Sequence, residues 1–487
     1  METRLSRRRL LQAGAAGAAG AAMLPTAGCS TNAAGRGDGR PNVVVLIIDS
    51  LRPDHVGAYG SPQIQTPNVD ALAARGLRFN RAFPEAMVTI PARRSIFTSR
   101  RIFPFRNFVP NPELGPSPGW LPIEGDENTW NKVLKDEGYW TVQVSDNPHL
   151  AFTKAYEPFR QTWDLWRTIV GQSGFYRDPE TVPIELVEKW VPPFMRDERY
   201  MPGMRKYLAN TGRGEDEEET CAARVYKDAA GVLEKAQRRQ PFAMVVDCFD
   251  PHEPWSPPRE YVDLYADPDY TGQEIGVTNY GFASNFTPEL FRRLHAIYAG
   301  EVTMTDRWLG HFMDRFYELG LDENTVVVLL SDHGYLLGER GYTGKVPSQL
   351  HPELAQVPMI LVTPDNKAAG EVSQVFASTH DVGPTVLSML GLDPPGWMEG
   401  TNLAAIMDGE DPPDRREVHY GGMYNRFFIR TDDFVLIGDN QGNERHMYDL
   451  RQDPHEFFNI EPKNKKVSEE LYQHVLELAG GPLPYYE

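Results

Sequence analysis

The apolar positions of this chain gather in short, β-branched runs separated by stretches with helical spacing. Residues 42–48 read Asn-Val-Val-Val-Leu-Ile-Ile, residues 242–246 Phe-Ala-Met-Val-Val, and residues 325–330 Thr-Val-Val-Val-Leu-Leu. Runs that are apolar at nearly every position, rather than alternating, predict strands covered on both faces, as in a parallel sheet. Residues 140–144 and 357–362 predict two more strands. Helices are predicted over 68–75, between Pro67 and the stop at Gly76, over 129–137 before Gly138, and over 221–239. A long helix is predicted over 290–319, with Gly300 and Gly310 as places to kink. Another is expected to begin around Pro91 and to carry Thr89 at or just before its amino end. This alternation predicts an α/β fold, a mostly parallel sheet between layers of helices, spanning 42–410.

Near Pro412 the texture changes. Residues 427–430 and 434–437 read as short strands around the turn Thr431-Asp432-Asp433, a second turn at 440–443 precedes 446–450, and a helix is expected over roughly 465–478. These predict a small antiparallel subdomain over 411–487, packed on the main sheet. Residues 147–213 are rich in proline and aromatic side chains, among them Trp163, Trp166, Trp190 and Tyr207. Their weak periodicity predicts an insertion near the mouth of a site.

Composition narrows the function classes. With 487 residues, 41% hydrophobic and 11% aromatic, the chain is a folded globular protein. A formal charge of -19 argues against a nucleic-acid-binding surface, though not against a locally positive anion pocket. Three cysteines, Cys29, Cys221 and Cys248, are too few for a disulfide framework. The start of the chain reads as an export signal over 1–29. Ser6-Arg7-Arg8-Arg9-Leu10-Leu11-Gln12 is similar to a twin-arginine leader, and an Ala/Gly-rich stretch too weakly apolar for a membrane span follows it. Thr26-Ala27-Gly28-Cys29 is similar to a lipoprotein cleavage box, so Cys29 is a lipid anchor, part of a discarded leader or a spare thiol in a linker. Residues 30–41 read as a linker. The expected location is therefore periplasmic or extracellular, with the twin-arginine machinery as a partner.

Two strand ends and one helix start carry candidate chemistry. Asp49 follows the first run and Asp332-His333 the third, so a parallel sheet would bring these metal-ligand types to one carboxyl edge. Thr89 offers a hydroxyl that a divalent cation could activate. Singly, each motif reads as readily as a polar turn; the combination points to metal-assisted chemistry.

Thr89-Ile90-Pro91-Ala92-Arg93, ending at Thr98-Ser99-Arg100, resembles the signature of the sulfatase family, Cys-x-Pro-x-Arg followed by Thr-Gly-Arg, with Thr at the nucleophile position. The resemblance extends through Asp49-Ser50-Leu51-Arg52-Pro53-Asp54-His55, Thr66-Pro67-Asn68, Pro251-His252-Glu253-Pro254, Ser331-Asp332-His333-Gly334 with Lys345, and Tyr448-Asp449-Leu450. It implies the fold of the alkaline phosphatase superfamily and one divalent metal ion (Ca, Mn or Zn) held by Asp49, Asp332 and His333, with Thr89 upon it. It implies that Arg93 orients Thr89 or clamps the anion, that Lys345 neutralises a non-bridging oxygen, and that His252 contacts substrate or protonates the departing oxygen. Arg94 matches no family role and reads as a surface or salt-bridged residue. The substrate class implied is an ester on a small molecule, a glycan or a lipid headgroup.

Three departures from the family bear on the reaction. Thr89 replaces the cysteine that sulfatases oxidise to formylglycine. Ser50 stands where many relatives carry a second Asp. Asp146, in Ser145-Asp146-Asn147-Pro148-His149, stands near the place of a sulfate-clamping Lys, with Asn147 or His149 as substitutes. A formylglycine hydrate can expel sulfate from its geminal hydroxyl, whereas a sulfo-threonine has no such route and a phospho-threonine can be opened by water. The residues therefore favour phosphate or phosphonate esters over sulfate esters. A true sulfuric ester hydrolase and an inactive anion-binding surface protein are the alternatives.

Overall fold

The computed structural model describes residues 39–172, 176–267 and 269–487. The expected leader, Cys29 and most of the linker lie outside the described residues. The described chain belongs to one unit spanning 35–487. At its centre is an eight-stranded sheet in the order Val372–Ser373 (β12), Leu77–Phe79 (β2), Met359–Val362 (β11), Thr325–Leu330 (β8), Asn42–Ile48 (β1), Phe242–Cys248 (β6), Trp140–Ser145 (β4) and Leu165–Thr168 (β5). β11 pairs antiparallel with both of its neighbours, and the other pairings are parallel.

The apolar runs form these strands because both faces are covered. On β1, Val44, Leu46 and Ile48 pack into one core with the Cys221–Gln237 and Pro288–Glu318 helices, through residues such as Leu233 and Phe312. Val43, Val45 and Ile47 pack into the opposite core, against Ile96 of the Thr89–Thr98 helix, Leu134 of Trp130–Asp136 and Val386 of Val382–Met389. Asn42 pins the register at the strand's start. Its side chain donates to the Asn324 carbonyl at 3.1 Å and accepts from the Phe242 N–H at 3.0 Å, joining β1 to both flanks.

Pro288–Glu318 is a single helix of 31 residues. Gly300 and Gly310 serve close approach: a Cβ at Gly300 would lie 3.1 Å from the Tyr261 backbone, and one at Gly310 2.6 Å from the Asn68 amide. The aromatic stretch differs from its expectation. Residues 165–168 extend the main sheet as β5, and Trp163 stacks edgewise on Phe97, Trp130 and Phe159 inside the core. Trp190 and Tyr207 are buried in the other core, so these aromatics are core packing rather than a pocket wall.

A three-stranded sheet joins Gly281–Phe282 (β7), Leu336–Leu337 (β9) and Tyr342–Gly344 (β10). The C-terminal sheet runs Arg445–Asp449 (β16), Phe434–Asp439 (β15), Arg426–Arg430 (β14), His419–Met423 (β13) and Ala86–Met87 (β3). Its first four strands pair antiparallel and Lys465–Leu478 packs on them. β3 comes from the segment just ahead of Thr89, so this sheet reaches the candidate site directly.

Candidate metal and ester-hydrolysis site

Strand register builds the site. Ile48 of β1 lies opposite Cys248 of β6, and Ile47 lies opposite Leu330 of β8. The residues that follow leave the sheet at one edge, where α/β sheets place ligands. Asp49, Asp332 and His333 are fully buried, with one ligand atom from each lying within 4.8 Å of the others. Ser50, in the left-handed region at φ 59°, serves both carboxylates. Its Oγ donates to Asp49 Oδ1 at 2.7 Å and its N–H donates to Asp332 Oδ1 at 3.0 Å. Ser50 thus orients the pair where a second Asp would have added a ligand.

His333 Nδ1 donates to the Gly334 carbonyl at 2.9 Å, which leaves the Nε2 lone pair free. Nε2 lies 3.3 Å from both Thr89 Oγ1 and Asp332 Oδ2. Burial holds the His333 pKa down at about 4 despite Asp332, so the ring is a neutral donor of that lone pair. Asp49 Oδ2 is buried without an aligned hydrogen bond. Burial, reinforced by Asp332, raises the Asp49 pKa well above the usual carboxylate range. Burial opposes ionisation of Asp332 too, but His333 and Arg93 hold its pKa at about 2. A crowded carboxylate pair, an unsatisfied oxygen and a fixed imidazole lone pair are the donor set of a divalent cation, and these residues fit one.

Thr89 is the first residue of the Thr89–Thr98 helix, at the end where unpaired N–H groups favour negative charge. Arg93, one turn on, is fully buried among three carboxylates. Its Nη1 lies 3.0 Å from Asp49 Oδ2 and also bonds Asp332 Oδ2, while Nε and Nη2 form a fork on Asp247 at 3.1 and 2.7 Å. Its contact with Thr89 is only a 3.5 Å bond to the carbonyl. In this arrangement Arg93 is counter-ion to the carboxylates rather than an open anion clamp. Asp247 was not among the sequence candidates, although a charge directly after the apolar run of 242–246 was its signal.

A second group stands beside the first. Lys345, just after β10, is 4% exposed and donates to His252 Nε2 at 2.7 Å and to Tyr280 Oη at 3.0 Å. Glu253 Oε2 lies 3.4 Å from Lys345 Nζ, and Tyr280 donates to the other oxygen of Glu253. Burial, with Lys345, pushes the His252 pKa well below its ordinary value. Lys345 also acts electrostatically on Asp49 and His333, which ties the two groups together. Glu253 and Tyr280 escaped the sequence reading; Glu253 lay unremarked within the quoted Pro251–Pro254 motif.

Around the departures, Asp146 is buried with Oδ1 accepting the Phe249 N–H at 2.8 Å, and burial with Asp250 drives it toward its protonated form. Asn147 Oδ1 caps the Pro148–Phe152 helix while its Nδ2 is buried without a partner. His149 is held near 4 by burial, Arg93 and Lys345. Arg94 pairs with Glu127 at 2.9 Å, as a salt-bridged residue should.

Carboxylates and imidazole at the carboxyl edge of a doubly covered sheet form a candidate divalent-metal site in a fold of the alkaline phosphatase type. A model of the sulfatase family matches residues 41–392, and the chain belongs to that family. A model of the C-terminal part of N-sulphoglucosamine sulphohydrolase matches residues 338–480. Among curated relatives, an N-acetylglucosamine-6-O-sulfatase of Bacteroides thetaiotaomicron is 25% identical, over 89% of this chain and 85% of its own. A multifunctional alkaline phosphatase superfamily protein of Trinickia caryophylli is 24% identical, over 86% and 91%. The phosphonate monoester hydrolase of Agrobacterium radiobacter shares the fold with a TM-score of 0.71 at 21% identity, covering 91% of this chain and 96% of its own. Among the described residues, no helix is long and apolar enough to cross a membrane.

Proposed function

We propose that this protein hydrolyses phosphate or phosphonate esters through a covalent adduct on Thr89, using the residues of 42–410 with 411–487 as a supporting subdomain. The observation that carries the reading is Thr89 Oγ1 at 3.3 Å from His333 Nε2, at the rim of the Asp49–Asp332–His333 cluster. A divalent ion (Ca, Mn or Zn) held by those three residues supplies positive charge that lowers the pKa of a neighbouring hydroxyl. Thr89 Oγ, its proton released to water, attacks phosphorus, the bond to the ester oxygen breaks, and that oxygen takes a proton from Lys345, which solvent then replaces. His252 keeps its Nδ1 proton on the Glu253 carbonyl, so its Nε2 accepts from Lys345 and holds that ammonium in place. Lys345 and the helix start meet the charge that grows on the transferred group. Water then attacks phosphorus, restoring the Thr89 hydroxyl and releasing phosphate or phosphonate.

The second reading is sulfate ester hydrolysis on a glycan or small molecule, which the sulfatase relatives favour. Thr89 argues against it, because a sulfo-threonine lacks the geminal hydroxyl that expels sulfate. A matched panel of sulfate monoesters, phosphate monoesters, phosphodiesters and phosphonate monoesters under several metals separates the two. Phosphoryl or phosphonyl turnover should dominate, and Thr89→Ala should lower kcat at least about a thousandfold without unfolding the protein. Sulfate turnover without phosphoryl activity would sink the first reading, and unchanged activity in Thr89→Ala would remove the covalent step. Silence across the panel would favour an anion-binding protein. Export rests on Arg7 and Arg8, with Cys29 as the site of any lipid. The Arg7→Lys, Arg8→Lys double variant should stay in the cytoplasm, and translocation of that variant would overturn the assignment.

A further inference from the structure

Beside the carboxyl half of the Thr89–Thr98 helix lies a cavity of about 270 Å³ whose wall takes in Arg94, Arg100, Arg101 and Arg106 against two carboxylates, Glu127 and Glu399. In a chain of formal charge -19, this wall carries four guanidiniums and two acids, and with Glu85 buried behind Arg101 the local excess is one positive charge. Arg94 and Arg101 are paired with carboxylates, Glu127 at 2.9 Å and the buried Glu85 at 3.8 Å, whereas Arg106 is held by carbonyls that fix its direction without cancelling its charge. Arg101 Nη1 donates to the Tyr420 carbonyl at 2.8 Å, and Arg106 donates to the carbonyls of Pro482 and Ala479 at 2.9 and 3.0 Å. Arg94 pairs with Glu127, yet its Nε is buried with no hydrogen-bond partner. Arg100 meets the face of Trp397 at 5.5 Å, and among the described residues no carboxylate lies within ion-pair distance of it.

Like charges gathered around a small cavity repel one another, and an unpaired buried donor costs free energy. An anion in the cavity relieves both. Guanidinium forks match the spread oxygens of a tetrahedral oxyanion. We propose that this cavity binds a sulfate or phosphate group, either as the free anion or as an ester group on a larger molecule. It is separate from the reaction site: none of Asp49, Thr89, Arg93, His252, Asp332, His333 or Lys345 lines it. Adjacent arginines on one helix thus serve two places, Arg93 the carboxylates and Arg94 the cavity.

Calorimetric titration of the purified protein with sodium sulfate and sodium phosphate, at ionic strength matched with chloride, tests the proposal. A Thr89→Ala, Lys345→Ala background suppresses binding at the reaction site. Saturable binding should persist in that background, weaken at least tenfold in Arg100→Ala, and survive partly in Arg100→Lys. Leu121→Glu, which adds a carboxylate to the cavity lining, should abolish it by an independent route if Arg100→Ala does not fold. Binding of the inorganic anions would show that the free ion suffices. Binding of a sugar monosulfate or monophosphate alone would assign the site to an ester group. No saturable binding of either kind, or binding indifferent to both Arg100→Ala and Leu121→Glu, would overturn the proposal.

Discussion

Arg93 shows how little a residue's type settles about its task. A guanidinium one turn after the proposed nucleophile suits an anion clamp, but here its fork is occupied by Asp247, and Asp49 and Asp332 share its remaining edge. Three buried carboxylates around one cation are under-neutralised, which is the electrostatic reason the cluster suits a divalent ion. Neighbouring imidazoles answer to the same field. His149 has a folded pKa of about 4 against an ordinary 6.5, because burial, Arg93 and Lys345 disfavour its charge. Between those values the unfolded chain binds a proton that the folded chain refuses, so this residue's contribution to stability is lost as pH falls through that window. Urea denaturation from pH 7 to 4 should show a shallower loss of stability in His149→Asn than in the wild type. Equal slopes would mean that His149 titrates normally.

At the scale of elements, the critical connection is β3. Two residues, Ala86 and Met87, pair with Gly422 and Met423 of β13 and lead through Val88 into the helix that begins at Thr89. Gly421 makes the approach possible: a Cβ there would lie 2.5 Å from the Glu85 carbonyl oxygen and 2.8 Å from its Cα. Backbone cannot move aside as a flexible side chain can, so Gly421→Ala should push the 85–88 segment. We expect a loss of about 1–3 kcal/mol of stability from overpacking, with a fall in kcat as Thr89 shifts. Chemical denaturation and steady-state assays would check the pair. Lost stability with unchanged kcat would show that the C-terminal sheet supports folding but does not position Thr89.

For the whole molecule, the site couples distant parts of the chain, and metal binding is therefore linked to folding. Asp49 and Asp332 are brought together by β1 and β8, and a cation that binds only the folded protein adds about 2.7 kcal/mol at a free concentration one hundred times its Kd. Chelation should lower the melting temperature, restoration of divalent metal should raise it, and the Asp49→Ala, Asp332→Ala double variant should be indifferent to both. A metal-dependent shift that survives in the double variant would place the cation elsewhere. The strands that carry these ligands were legible from local pattern, because a run apolar at each position is stable only where both faces are covered. So were Asp49 and Asp332-His333, which follow strand ends, where polar residues interrupt that pattern, whereas Thr89 was marked by the family resemblance. Asp247 as partner of Arg93, 154 residues away, was not, nor were the two donors of Ser50 or the Glu253–Tyr280–Lys345 group. Trp163 and Tyr207, suggestive of a pocket in the sequence, turned inward as core. Periodicity reports whether a position is covered but not by what. Which side chain meets which across a sheet is set by register and crossover, and these exist only once the chain has folded.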